Sequence, residues 1–354
     1  MKFLNRKGAL LKTVLCFSLV LMIAGENFAQ NGMFSKKNKV YRYSYISIGG
    51  GSSHYFGDLS PYSTFYYALY TNVRWNGTIN YTRQLSPQFG ARFAFTYARI
   101  LGDDFTYSQR NLEKFHSYYL RNLHFRNDIK EFTISGVFNL LPQYGKGQQG
   151  RSKFMPYGVL GIGFYGHNPM ARGPVNTANG GVELSDWLPL KEYKTSGQDL
   201  DPTRPKSYSL VQMVFPVALG VRMKINEKID LHFEGGLRVT PFDYIDDVGG
   251  TTYVNPALLN SAEAKAFANR AGEDYSGRTG KDRIPVFAQV ITSPPYNVAA
   301  GNPTPSSLGE SYVGYSPTAT NPTIRGSSRW DSYFLTQITI SYIIGSTVKC
   351  PPIK

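Results

Sequence analysis

Five histidines, His54, His116, His124, His167 and His232, are the natural carriers of proton-transfer chemistry in this chain. A hydrolytic site needs a histidine beside a nucleophile and an acid that orients the ring. Ser52 or Ser53 could form a dyad with His54, but no spacing supports it, and the other histidines are scattered. Four of the five fall in stretches read as loops. His232 stands between Asp230 and Glu234 in an alternating stretch, where a buried charge network is the ordinary reading. Gly161-Ile162-Gly163-Phe164-Tyr165-Gly166 matches G-x-G-x-x-G by letter. That fingerprint needs a helix directly after the last glycine, whereas His167-Asn168-Pro169 follows here, so the glycines read as small residues packed within a strand. Asp243, Asp246 and Asp247 form a carboxylate group that could hold Ca²⁺ or bridge divalent ions among lipid headgroups. Their spacing matches no known Ca²⁺ loop, and capping by hydrogen bonds to backbone and neighbouring arginine accounts for them more simply. These residues call for no cofactor, and the chain is read as a non-enzyme.

Positioning of these groups falls to a hairpin, Leu210 to Val239. Val211, Met213, Phe215, Val217, Leu219, Val221 and Met223 alternate with small or polar residues; after Asn226-Glu227-Lys228, Ile229, Leu231, Phe233, Leu237 and Val239 alternate with Asp230, His232, Glu234 and Arg238. A period of two gives strands with one apolar and one charged face. Arms of about 11 to 13 residues exceed the usual 5 to 6 of soluble sheets and suit a tilted crossing of a hydrocarbon layer. A soluble sandwich would turn the apolar face inward; a membrane barrel turns it to lipid and encloses Arg222, Asp230, Glu234 and Arg238.

Residues 1–29 carry Lys2, Arg6, Lys7 and Lys12 before an apolar run from Thr13 to Gly25, the pattern of a signal peptide cut after Ala29. Cys16 lies inside that run without the small preceding residue of a lipoprotein site. No later run reaches the 18 apolar residues of a spanning helix, while aromatic content is 14% with 26 Tyr and 22 Phe. Secretion, aromatic wealth and no spanning helix fit an outer-membrane barrel with aromatic girdles. Loss of residues 1–29 removes four basic groups and Glu26, which takes the net charge from +14 to +11. For an exported chain this excess points to lipopolysaccharide phosphates or an acidic partner protein, and no nucleic acid is expected. Cys350 is then the one remaining cysteine, so it is either free or paired to another molecule.

Taken in order, strands are expected at Tyr41–Gly49, Val73–Leu85, Phe89–Ile100 with Arg92 facing the lumen, Ile129–Leu140, Met155–Tyr165, the two arms of the hairpin, and Trp330–Ile343. The Gly- and Ser-rich run after Gly49 reads as loop. Connections alternate: long, short, long, medium, long, short, very long. Short turns on one side and long loops on the other belong to outer-membrane barrels. The fold expected is all-β: a signal peptide 1–29, a periplasmic leader 30–40, an eight-stranded antiparallel transmembrane β-barrel 41–343 and a periplasmic tail 344–354. Its long outer loops span 51–72, 101–128, 166–208 and 240–329. Within the last, Asn255–Ala271 reads as a short helix, followed by Pro- and Ser-rich sequence to about Asn321. Eight strands leave a lumen that side chains fill, so no diffusion channel is expected.

Several short motifs carry a resemblance: Tyr55-Phe56-Gly57-Asp58-Leu59; Pro156-Tyr157 leading to Gly161 and then His167-Asn168-Pro169; Asp243-Tyr244-Ile245-Asp246-Asp247-Val248; and Arg325-Gly326 before Trp330-Asp331-Ser332-Tyr333. In this order, across the mature chain, they resemble the PorG-like outer-membrane barrels of the type IX secretion system. Residues 261–321 extend beyond the compact family pattern. The resemblance implies a non-enzymatic component that ties the periplasmic ring, built from a lipoprotein and its partner subunit, to the outer membrane. Such machines export proteins and, in gliding bacteria, support adhesin movement. It also implies a disulfide from a barrel cysteine to the ring lipoprotein, for which Cys350 is the available residue; a free thiol stays open. The alternatives are a surface barrel acting as adhesin or lipid-binding protein through its loops, and a lipid-modifying enzyme.

Overall fold

The computed structural model describes residues 42–60, 69–141, 150–178, 181–299, 301, 303–315 and 325–344. Eight long strands, β1 (Tyr43–Phe56), β2 (Arg74–Gln84), β3 (Phe89–Asp103), β4 (His124–Asn139), β5 (Phe154–Gly166), β8 (Val211–Lys224), β9 (Ile229–Val239) and β10 (Ser332–Ile344), form the sheet. Each pairs antiparallel with the next, and β1 pairs with β10 while β3 pairs with β4. The sheet therefore closes on itself as an eight-stranded antiparallel barrel with no free long edge. Two short strands, β6 (Met170–Arg172) and β7 (Trp187–Pro189), extend it above β4.

The alternation reads out as expected, with polarity inverted relative to a soluble protein. Ile48, Phe95, Phe132, Ile162, Leu219 and Ile340 stand exposed on the outer wall. Arg92, Glu131, Arg222, Asp230 and Arg238 are buried inside. Water would not tolerate that arrangement over a whole barrel, whereas hydrocarbon requires it. The architecture is that of an outer-membrane barrel.

Two connections at one end, residues 85–88 and 225–228, are short turns. Leu85 and Ser86 donate their backbone N–H groups to the Phe89 carbonyl, and Asn226 Oδ1 accepts from the N–H of Lys228 and Ile229 at 2.8 and 2.9 Å. Tyr43 and Ile344, where β1 begins and β10 finishes, lie at this turn end. Several strands are longer than the sequence indicates. β1 continues to Phe56 through the Gly- and Ser-rich stretch read as loop, which puts His54 in a strand. Its glycines are there for close approach: a Cβ on Gly49 or Gly51 would come within 2.0 Å of the Ile338 or Thr336 carbonyl of β10. β4 starts at His124 rather than Ile129, so His124 is also a strand residue, and β3 runs on to Asp103.

The long connections at the loop end fold into a cap. It contains α1 (Asp104–Ser108), α2 (Leu112–Arg121), α3 (Ala262–Ala268) and α4 (Ile284–Thr292). α2 starts where Asn111 Oδ1 accepts from Lys114 N–H and stops at Asn122, whose φ of 56° is left-handed. α3 starts on a Ser261 cap to Ala264 N–H and covers only the middle of the 255–271 stretch expected to be helical. α4 lies in sequence expected to be irregular. Its apolar side, Phe287, Val290 and Ile291, packs with Phe105, Tyr119 and Leu120 into a core of the cap's own.

Candidate functional site

The lumen is filled by ion pairs. Arg92 Nη1 reaches Glu234 Oε2 at 2.7 Å, and Tyr157 donates to the same oxygen at 3.0 Å. Lower down, Arg151 and Arg222 share Asp230 at 3.1 and 3.8 Å, and Arg222 donates to Tyr43 Oη at 2.9 Å. Towards the loop end Tyr333 donates to Glu131 at 2.5 Å, with Arg238 at 3.5 Å from the same carboxylate. Every lumen residue expected from the alternation, Arg92, Arg222, Asp230, Glu234 and Arg238, is in this network. His232 is not bonded to its flanking acids; its ring lies between Tyr45 and Tyr157 at 5.6 and 5.8 Å. Arg151, from a connection outside any strand, turns in to cap Asp230, a contact that no local pattern of residues announces. A void between Thr78, Arg92, Ser135, Glu234 and Gln337 measures about 10 Å³, room for a single water. This interior is a plug.

At the loop end a second constellation assembles. Tyr55, last but one in β1, places its hydroxyl 2.7 Å from Asp246 Oδ2 and 2.8 Å from Asp331 Oδ1. A phenol carries one proton and can donate to only one of them, so the other carboxyl holds a proton and donates back. Burial raises both carboxyls well above the ordinary range, as do their neighbours Asp58 and Asp243. Asp243 is pushed up to about 8, by burial and then by Asp58. Asp58 accepts from Ser327 N–H and Oγ at 3.0 and 2.7 Å. Arg121 clamps Asp104 through two bonds, of 2.7 and 2.8 Å, and donates to the carbonyls of Asp58 and Arg325. Arg325 in turn donates to Thr195, Ser196 and the Ala268 carbonyl. Asp247 faces away from Asp246, accepting from Thr195 and Tyr208 at 2.6 Å each. Among the described residues no three His, Cys, Asp or Glu side chains are arranged to hold a metal ion.

Most of the short motifs singled out in the sequence thus meet in space; Pro156-Tyr157 does not, because it lies towards the turn end of β5 with Tyr157 bonded to Glu234 in the lumen. Tyr55 and Asp58, Ile245 and Asp246, Arg325, and Asp331 and Tyr333 surround one joint between barrel and cap. Asn127 ties His167-Asn168 into it, donating to the Ile245 carbonyl at 2.7 Å and accepting from Asn168 N–H at 2.9 Å. His167 is buried against Tyr208 and Phe242, and burial lowers its pKa to about 4. Gly326 has no room for a side chain, since a Cβ would lie 2.5 Å from Asp58 Oδ2.

This chain resembles solved barrels in shape alone. The attachment invasion locus protein Ail of Yersinia pestis matches with a TM-score of 0.32 and 9% identity over 86% of this chain and 99% of that one. Neisserial surface protein A gives 0.31 and 9% over 84% and 96%, and OprG of Pseudomonas aeruginosa 0.32 and 8% over 86% and 98%. At such scores the fold rests on the strand pairing itself. No family model matches the chain, and no curated protein matches its sequence.

The remaining candidates resolve as follows. Ser52 Oγ does come within 2.7 Å of His54 Nε2, because residues two apart on a strand share a face. Ser52 Oγ also lies 2.6 Å from Thr336 Oγ1 of β10, and its N–H donates to the same oxygen. The group is a polar clasp between two strands, and no carboxylate among the described residues hydrogen-bonds His54. Ser53 is turned inward and donates to the Trp75 and Arg99 carbonyls. Gly161 and Gly163 lie within β5, where a Cβ would collide with β4 backbone at 2.5 and 2.2 Å; no helix follows them. Cys350 and residues 1–40 lie outside the described residues.

Proposed function

We propose that this chain is a non-enzymatic barrel of the outer membrane, a fixed platform that anchors the periplasmic lipoprotein ring of a type IX secretion and gliding machine. In this reading the turn end and both termini face the periplasm, and the cap faces outward. The observation that carries it is the meeting of most of the separately spaced PorG-like motifs, all but Pro156-Tyr157, at one barrel–cap joint. Their residues serve the rigidity of the platform, which is what an anchor requires. A lumen filled by paired charges supports a scaffold rather than a channel. In this reading Cys350, six positions beyond the last residue of β10 in the sequence, is the residue that would bond the ring lipoprotein from the turn end. That is the side on which a ring lipoprotein and its partner subunit would be met.

The test is a non-reducing gel of outer-membrane extract from cells carrying wild type or Cys350→Ser. The expected result is a heavier, reductant-sensitive band that contains a periplasmic lipoprotein and vanishes in the variant. A monomer in both removes the covalent link. A second reading, a surface barrel acting through its loops, draws on a groove of about 520 Å³ in the cap lined by Pro174, Asn269, Glu273, Ser307 and Glu310. Loss of surface-ligand binding on Glu310→Ala, with secretion intact, would favour it.

A further inference from the structure

The outer wall changes character abruptly towards the loop end. Along β4 the exposed face runs Ile134, Phe132, Lys130, Asp128, Arg126 in two-residue steps. Arg126 therefore stands about 20 Å along a tilted strand from Phe132, at about 3.4 Å per residue. Between them lies an aromatic step: Trp75 of β2 stacks on Tyr97 of β3 at 5.4 Å, and Tyr97 is the cross-strand partner of Lys130. Tryptophan and tyrosine at this level mark the headgroup boundary of a membrane barrel.

Above that step the charge is one-sided. Arg99 lies over Trp75 at 5.9 Å, and Arg126 and Arg172 both lie over Trp187, at 4.5 and 5.4 Å. Arg99 and Arg172 are each close enough to Arg126 to repel it. The one acid in the group, Asp128, is held by Arg99 in two bonds of 2.6 and 2.8 Å. Arg126 makes only a long contact to the Met170 sulfur, at 3.9 Å, and the Nε atoms of Arg126 and Arg172 are buried with no hydrogen-bond partner. Other buried arginines also leave an Nε unpartnered, Arg92, Arg222, Arg238 and Arg283 among them, but Arg92 and Arg121 each hydrogen-bond a carboxylate and Arg325 hydroxyls and a carbonyl. Here Arg126 and Arg172 both lie against one tryptophan with no carboxylate among the described residues hydrogen-bonded to either, and only Arg99 has an acid of its own.

We propose that the face formed by Arg99, Arg126, Lys130 and Arg172 around Trp75 and Trp187 binds the phosphates of a phosphorylated glycolipid in the outer leaflet. Guanidinium groups engage phosphate through paired, charge-assisted hydrogen bonds. The tryptophans pre-set their planes, and the apolar wall directly below takes the acyl chains. The placement above a lipid-facing belt favours a lipid phosphate over a soluble one. This inference rests on the membrane reading and is independent of the type IX reading.

The experiment uses the full chain folded in dodecyl maltoside micelles, with bisphosphorylated lipid A and its dephosphorylated form as probes and native mass spectrometry as readout. Wild type should retain the bisphosphorylated form at least about tenfold better than the dephosphorylated one. Arg126→Gln with Arg172→Gln should reduce that preference by about tenfold, whereas Arg204→Gln in the cap should not. Heat-modifiable migration on a gel reports whether each variant is a folded barrel, and flotation of the chain with phosphatidylcholine vesicles tests the membrane reading separately. Equal retention of the two lipids by wild type overturns the proposal with no variant needed. Unchanged preference in a folded double variant overturns the assignment of residues. If the deacylated glucosamine bisphosphate binds as tightly as the lipid, the ligand is a free phosphate and the lipid claim falls.

Discussion

The lumen and the barrel–cap joint both bury clustered charge, and they solve that problem in different ways. In the lumen Arg92, Arg151, Arg222 and Arg238 face Glu131, Asp230 and Glu234, so each carboxylate has a cation within 4 Å. At the joint Asp58, Asp243, Asp246 and Asp331 face one another, and protons take the place of arginine. The nearest guanidinium groups are engaged elsewhere: Arg121 divides its donors between Asp104 and two backbone carbonyls, and Arg325 donates to two hydroxyls and a carbonyl. One region is locked by Coulomb attraction; in the other, burial and the acids' own mutual repulsion raise the carboxyl pKa values. The lumen lock should therefore carry the larger single-site effects. Glu234→Ala leaves Arg92 buried without its partner and is expected to cost about 3–5 kcal/mol. Urea unfolding of the barrel in detergent, followed by gel mobility, measures it. Combining Glu234→Leu with Arg92→Met should recover most of the loss, and a double variant as weak as the single would show that the pair does more than neutralise itself.

At the joint the sharpest probe is the shared phenol. Tyr55→Phe removes the group that accepts one carboxyl's proton and donates to the other carboxylate. Leaving two buried carboxyl oxygens without that partner should cost about 1–3 kcal/mol. The loss belongs to the cap's attachment, so limited proteolysis within residues 240–299 should accelerate while gel mobility of the barrel stays as in wild type. If barrel unfolding shifts by the same amount, the joint is not a separate unit and the contrast with the lumen fails.

How far this could be read from the chain depends on the range of the interactions. Alternation is local, so the hairpin arms and the inward placement of Arg92, Arg222, Asp230, Glu234 and Arg238 were legible. The missed half of β1 fails for a definite reason: Gly50 and Gly51 look like loop by composition, yet they are required by the close approach of Asn76 of β2 and of Thr336 of β10, strands brought alongside only when the barrel forms. Reading Ser52 to His54 as loop also hid their contact, which follows at once from a strand. α4 was obscured by surrounding proline and serine, although Phe287, Val290 and Ile291 recur at helical spacing. Arg151 and the joint were beyond reach, because a phenol at 55 and carboxyls at 246 and 331 meet only after the barrel has closed.

The smallest expected effect concerns pH, and its sign separates the two regions. Asp243 has a carboxyl pushed up to about 8 in the folded joint, with one oxygen buried and lacking a hydrogen-bond partner. In an opened cap it would titrate near the usual value of about 3.9. Between those values the folded joint holds a proton that the open form has lost, so stability is full below about 4 and declines as pH rises through about 8. Burial of His167 acts in the opposite sense: its pKa is lowered to about 4 when folded, against about 6.5 when exposed, so its contribution is present above about 6.5 and lost as pH falls through about 4. The two oppose each other below about 6.5, and only the Asp243 slope remains above it. Amide exchange across residues 262–292, normalised to intrinsic rates, should therefore show the cap opening more often at pH 8.5 than at 6.5. Asp243→Asn removes the titrating group while keeping its shape and should flatten that rise, whereas the same change in pH should leave the arginine-paired lumen unmoved. A rise of equal steepness in the variant would mean that the proton lies elsewhere, on Asp246 or Asp331, and would move the pH-sensitive group to the Tyr55 pair.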